Sequence, residues 1–141
     1  MTATRTGACL CGAVRYAAQT DATTLGACLC DQCRRHTGSL LVGLGVMADA
    51  LRWDGAPATY RSSDWAERGF CPACGSTLFY RVTAGPMAGY TSLAAGTLDD
   101  TSGLVLTHEY YSDACTAYRL AGDHARITRA ETIAKFSGAE G

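Results

Sequence analysis

The chain has 141 residues, 48% of them apolar and 18% charged, with 12 basic against 13 acidic side chains and a formal net charge of -1. This composition excludes a disordered or fibrous chain and suits a single domain spanning 1–141, since a chain this long buries roughly two-thirds of its unfolded surface. The charge balance argues against nucleic acid or an anionic membrane as partner, and no apolar run approaches the roughly 18 residues of a membrane span.

The opening Met1-Thr-Ala-Thr-Arg-Thr-Gly7 lacks the apolar core of a secretory signal, so a cytoplasmic location is expected. Ala13–Ala17 follows a glycine and alternates as a strand does. A helical turn is expected over Asp31–His36. Leu40–Met47 is an apolar run of strand length whose two glycines suggest a bend or a close backbone approach. Further strands are expected at Ala58–Arg61, Glu67–Phe70, Thr77–Val82, Tyr90–Ala95 and Leu104–Tyr111. Turns fall at Gly55-Ala-Pro57, Gly85-Pro86 and Asp99-Asp100-Thr-Ser-Gly103, and the last residues are expected to fray. Many short strands and 16 glycines predict an all-β domain.

The eight cysteines are the strongest signal. Seven form clusters: Cys9-x-Cys11, Cys28-x-Cys30-x-x-Cys33 and Cys71-x-x-Cys74, with Cys115 alone. Thiols one or two residues apart offer several soft ligands to one metal, whereas a disulfide framework suits a secreted chain that needs staples. Zinc is the expected ion. Cys71-Pro-Ala-Cys74-Gly75 reads as a zinc-knuckle turn, with backbone amides directed at the sulfurs. Pairing it with Cys9 and Cys11 gives a closed four-thiolate site of structural kind. Cys28, Cys30 and Cys33 leave a fourth position unassigned. It is either open, as in a catalytic zinc, or closed by His36, His108 or Cys115, and spacing does not choose between these.

Other residues carry weaker signals. Arg34 and Arg35 follow the triple and either grip a substrate carboxylate or sit on a solvated turn. His108 and Glu109 read as a surface pair before they read as an acid or base. Asp99 and Asp100 read as turn caps, Trp53 and Trp65 as core or rim aromatics, and Cys115 as a small buried residue. Tyr110, Tyr111 and Tyr118 either pack or line a pocket.

Three segments together resemble one family. Gly7-Ala-Cys9-Leu-Cys11-Gly12-Ala-Val14-Arg-Tyr16, Cys28-Leu-Cys30-Asp-Gln-Cys33-Arg34-Arg35-His-Thr-Gly38 and Arg68-Gly69-Phe70-Cys71-Pro72-Ala-Cys74-Gly75-Ser76-Thr-Leu78 are similar to the glutathione-dependent formaldehyde-activating enzymes, as is Gly96-Thr97-Leu98-Asp99-Asp100. The likeness runs from about Gly7 to about Tyr118. It implies a mainly β, Mss4-like fold of antiparallel sheets pinned by a structural zinc. It implies two zinc ions per chain, one on Cys9, Cys11, Cys71 and Cys74 and a catalytic one on Cys28, Cys30 and Cys33. It also implies a carbon–sulfur lyase that joins formaldehyde and glutathione to give S-hydroxymethylglutathione. In Thr107–Tyr118 the chain departs from the family pattern, keeping its His but not its Lys or Trp. The competing readings are an Mss4-like protein-interaction module without catalysis and a thiol or zinc buffer. The three-cysteine cluster favours the enzyme, because an interaction scaffold needs only the four-thiolate site.

Overall fold

A computed structural model describes residues 2–136. It is mainly β. The strands are β1 (Ala3–Ala8), β2 (Arg15–Thr20), β3 (Thr24–Cys28), β4 (Leu41–Met47), β5 (Leu51–Asp54), β6 (Ala58–Ser63), β7 (Ala66–Phe70), β8 (Thr77–Val82), β9 (Tyr90–Ala94), β10 (Val105–Tyr110) and β11 (Ala125–Ile127). Two short helices join them, α1 (Asp31–Thr37) and α2 (Arg129–Lys135). The expected strands and the turn after Cys30 are present, but the first lies at Arg15–Thr20 and not at Ala13–Ala17. Helix α2 corrects the all-β expectation: Thr128 caps it reciprocally with Glu131, a capping box that fixes its start. The fraying expected of the last residues concerns 137–141, which lie outside the described residues.

The strands form a three-stranded sheet, β1-β2-β5, and an eight-stranded one, β11-β10-β3-β4-β9-β8-β7-β6. The small sheet is antiparallel. The large one is mixed, because β10 runs parallel to both β3 and β11. Parallel neighbours need a crossover of a dozen or more residues, and the stretch 111–124 between β10 and β11 supplies one.

The main core lies between the sheets. Strand β2 alternates cleanly, with Tyr16, Ala18 and Thr20 buried and Arg15 and Gln19 exposed, as a sheet with one covered face requires. Against Tyr16 and Ala18 pack Leu44 and Val46 of β4, Leu78 and Phe79 of β8, and Leu93 of β9. Trp53 of β5 joins the layers, with its ring 5.4 Å from Tyr16 and 5.5 Å from Phe79. The glycines of β4 do mark a close approach: a Cβ on Gly43 would stand 1.7 Å from Ser92 Oγ.

A second, smaller core holds Cys30, Cys33, Leu41 and Tyr111, with Tyr80, Tyr110 and Ile133 of α2 packed on it. Strand β11 is held beside it by contacts to one buried carboxyl group. Glu109 is fully buried, with Oε1 2.9 Å from His124 Nε2 and 3.4 Å from Arg126 Nε. This corrects the surface pairing of His108 with Glu109. Neighbours in a strand point to opposite faces, so His108 stacks on Tyr110 at 5.7 Å while Glu109 turns inward.

Gly69 of β7 lies against the fully buried Phe79 ring, which a Cβ would meet at 2.1 Å. Gly69→Ala is therefore expected to lower the unfolding free energy by about 1–3 kcal/mol, the usual cost of overpacking. Urea denaturation checks this, and an unchanged midpoint contradicts it.

Candidate functional site

The first cysteine group is built from two turns on different sheets. After β1, Cys9-Leu10-Cys11 turns back so that Cys9 N–H donates to Val14 O at 2.9 Å and Val14 N–H donates to Cys9 Sγ at 3.3 Å. After β7, Gly75 N–H donates to Cys71 O at 2.8 Å, with Gly75 at φ +79°, a left-handed turn that suits glycine. The N–H groups of Ala73 and Cys74 point at Cys71 Sγ, each at 3.4 Å, the arrangement expected of a knuckle. Ser76 joins the two turns: its Oγ accepts from Leu10 N–H at 2.9 Å and lies 3.1 Å from Cys74 Sγ.

The four sulfurs of Cys9, Cys11, Cys71 and Cys74 lie within 4.8 Å of one another. Cys11 Sγ is 3.7 Å from that of Cys9 and 3.8 Å from that of Cys71. A tetrahedron of sulfurs about 2.3 Å from a central zinc has edges of about 3.8 Å, so the donor set and its spacing fit that ion. Without a cation the sulfurs compete. The Ser76 hydroxyl and amide draw Cys74 down to about 5. An Ala13 amide favours the Cys11 thiolate, but the Cys9 sulfur and the other neighbours outweigh it and push Cys11 up to about 11.

The second group is Cys28, Cys30 and Cys33, also within 4.8 Å of one another. Cys28 ends β3, Cys30 caps α1 and Cys33 lies in its first turn. Cys30 Sγ accepts from Cys33 N–H at 3.3 Å. Hydrogen bonds from the Cys28 and Cys33 thiols hold Cys30 down at about 2, and the same contact with Cys30 pushes Cys28 well above the usual range. Thiolates this close raise one another, so a cation is needed before all three can be ionised together.

No fourth His, Cys, Asp or Glu among the described residues joins this group. His36, His108 and Cys115, the alternatives for closing it, all stand outside. Both ring nitrogens of His36 are buried without a hydrogen-bond partner, and burial lowers its pKa, followed by the charge of Arg68. Cys115 is half-buried, not buried as expected, because the crossover 111–124 sets it at the rim of a concavity of about 520 Å³ beside α1, outside both cysteine groups.

Arg34 and Arg35 line that same concavity with Ser39 and Tyr118. Arg34 is already engaged: Nε donates to Leu29 O at 2.8 Å, while Nη2 bonds Asp31 Oδ1 at 2.5 Å and Ala114 O at 3.4 Å. It braces the backbone between Cys28 and Cys30. Arg35 is exposed. Asp100 caps its turn as expected, its Oδ1 accepting from Ser102 N–H at 2.8 Å, and Asp99 accepts from Thr6 Oγ1 at 2.7 Å.

Sequence reasoning gave no role to Arg68 of β7. It is 3% exposed, with Nη1 3.4 Å from Cys33 Sγ and Nη2 3.4 Å from Gln32 Oε1. The one local signal was the strand period, which sets Arg68 on the same inward face as Ala66.

A mainly β chain that gathers four thiols across two sheets, and three more in a separate group, defines a cysteine-rich protein with two groups able to hold metal ions. The chain belongs to the glutathione-dependent formaldehyde-activating enzyme family, whose match covers residues 4–114 and so takes in all seven clustered cysteines. A crystal structure of a protein from Rhodobacter sphaeroides shares the fold, with a TM-score of 0.57 and 23% identity over 72% of this chain and 99% of that one. No curated protein matches the chain. No helix among the described residues is long and apolar enough to cross a membrane.

The two groups are expected to differ on mutation. Cys71→Ser should remove one metal per chain and abolish the cooperative thermal transition, because a closed site of this kind supplies on the order of 10 kcal/mol to folding. Cys30→Ser should also remove one metal but leave the far-ultraviolet dichroism of the sheets in place. Metal analysis with thermal melting checks both, and equal loss of fold in the two variants contradicts the distinction.

Proposed function

We propose that this protein is a zinc-dependent carbon–sulfur lyase that joins glutathione and formaldehyde into S-hydroxymethylglutathione. Cys9, Cys11, Cys71 and Cys74 would hold a structural zinc that pins the Mss4-like sheets. Cys28, Cys30 and Cys33 would hold a second, catalytic zinc. The observation that carries the reading is the second group itself: three converging thiols, no fourth protein ligand of the usual kinds among the described residues, and family membership over the segment that contains them.

When bound there, zinc keeps a thiol deprotonated and polarises a carbonyl oxygen. In the reaction, the glutathione sulfur bonds to the aldehyde carbon, the C=O π bond opens, and the thiol proton ends on the oxygen. The protein's part is to hold the two reactants in attacking distance. Cys28, Cys30 and Cys33 fix the metal's place, with Cys28 the least buried of the three. Arg34 holds the Leu29 carbonyl and so the cysteine loop. Arg35, with Arg34 at the concavity, offers a fork for a peptide carboxylate of glutathione. The whole chain, 1–141, acts as one domain in this reading. A cytoplasmic site of action suits thiols that have to stay reduced, and no nucleic-acid or membrane partner is invoked.

The adduct also forms without a catalyst, so the test is a rate at equilibrium. Exchange NMR on labelled formaldehyde with glutathione should show interconversion accelerated more than about tenfold by the metal-loaded protein. The acceleration should vanish in Cys30→Ser and fall in Arg35→Ala through a higher glutathione requirement. Exchange at the uncatalysed rate with a fully loaded protein would overturn the reading in favour of a zinc-stabilised interaction module.

A further inference from the structure

Arg68 poses a charge problem. A guanidinium removed from water is costly unless an anion faces it. Among the described residues Arg68 has no carboxylate partner: its hydrogen bonds go to Cys33 Sγ and the neutral Gln32 amide, and its Nε is buried with none. Its guanidinium carbon lies 4.9 Å from the centre of the Tyr80 ring, the residue opposite it on β8. The ring face is a weak partner for a full charge. Among the described residues, the one group in contact with it that can carry negative charge is the three-thiol cluster.

The cluster has the complementary problem. Three thiolates around one dication sum to -3 + 2 = -1, inside a core formed by Leu41, Tyr111 and the two buried cysteines. We propose that Arg68 is a positioning residue that supplies the fixed counter-charge of this site, bringing the three-thiolate metal centre to neutrality so that it keeps its ion and accepts a further thiolate. This rests on the reading of Cys28, Cys30 and Cys33 as metal ligands and extends it to a residue that binds neither metal nor substrate. A fourth thiolate takes the bare site from -1 to -2, but with Arg68 only from 0 to -1. The guanidinium is well placed for the task because it cannot lose its proton inside a protein. Strand β7 also fixes it, since it runs from Arg68 directly into the Phe70-Cys71 corner of the four-thiol group. Arg68 is thereby held by the first cysteine group and aimed at the second.

Cobalt provides a readout that needs no turnover, because its bonds to thiolates absorb through sulfur-to-metal charge transfer. Metal-free wild type, Arg68→Met, Arg68→Gln and Arg68→Lys would be titrated with cobalt against a competing chelator, with the four-thiol group as internal reference. The wild type is expected to fill two sites. The Met and Gln variants should bind the first ion as the wild type does and the second about ten- to a hundredfold more weakly, the scale of one lost charge at this range. Lys, which keeps the charge but not the fork, should recover most of the affinity. If the Met variant does not fold, Gln carries the comparison, with the thermal melt as control. Two cobalt ions bound with equal affinity in wild type, Met and Gln overturn the role of Arg68 and leave the proposed function standing. One cobalt ion in the wild type overturns both. A loss in Lys as large as in Met shows a steric role and overturns the charge argument.

Discussion

Crowding of sulfur is the constraint on which the rest of the structure depends. Seven thiols are brought into two groups, each packed within 4.8 Å. Thiols at that spacing cannot all ionise unaided, because each thiolate raises the next. The shifts follow this: contacts among the thiols lower Cys30 and raise Cys28, Ser76 lowers Cys74, and the neighbouring sulfurs raise Cys11. A divalent cation relieves both groups at once. The four-thiol group also joins the turn after β1, in the small sheet, to the turn after β7, in the large one. An ion held there fastens the two layers whose apolar faces make the main core.

The groups differ in what surrounds them. The four-thiol group sits at the edge, with Cys11 exposed, and backbone amides and Ser76 answer its sulfurs. Each group has two buried cysteines, but the three-thiol group has no exposed one, and it has aromatic rings around it and the buried Arg68 at its flank. In the proposed reading the first group holds an ion that stays, and the second an ion whose fourth position takes the substrate thiol. The segment beyond the family match lies against this second group: Ile133 of α2 packs on it, and Glu109, His124 and Arg126 tie the returning chain to β10.

Much of this was legible in the sequence because cysteine spacing is local information. Thiols one or two residues apart must end up close, and the need of four ligands for a closed tetrahedral site then pairs Cys9 and Cys11 with Cys71 and Cys74 and leaves the triple apart. Strands with clear apolar runs, such as those at Leu41–Met47 and Thr77–Val82, were equally plain. Strands β1, β3 and β5 were not, since Ala-Thr-Arg-Thr-Gly-Ala, Thr-Leu-Gly-Ala-Cys and Leu-Arg-Trp-Asp lack a run to distinguish them from loops. Long-range partners were hidden too. Glu109 looks like a surface residue until His124, fifteen positions on, folds back against it. Arg68 looks like a solvated strand residue until α1 brings Cys33 to it. Both are buried charges whose compensation is supplied by tertiary structure, which no local pattern encodes.

The two metal ions proposed for this chain would occupy unlike thiolate sites, one closed and one with an exchangeable position. Metal analysis of protein purified without chelator, followed by zinc X-ray absorption with and without glutathione, tests this most directly. Two zinc ions per chain and a rise in mean sulfur coordination on adding glutathione are expected. One zinc per chain, or two with unchanged coordination in the presence of the thiol, would contradict the proposal.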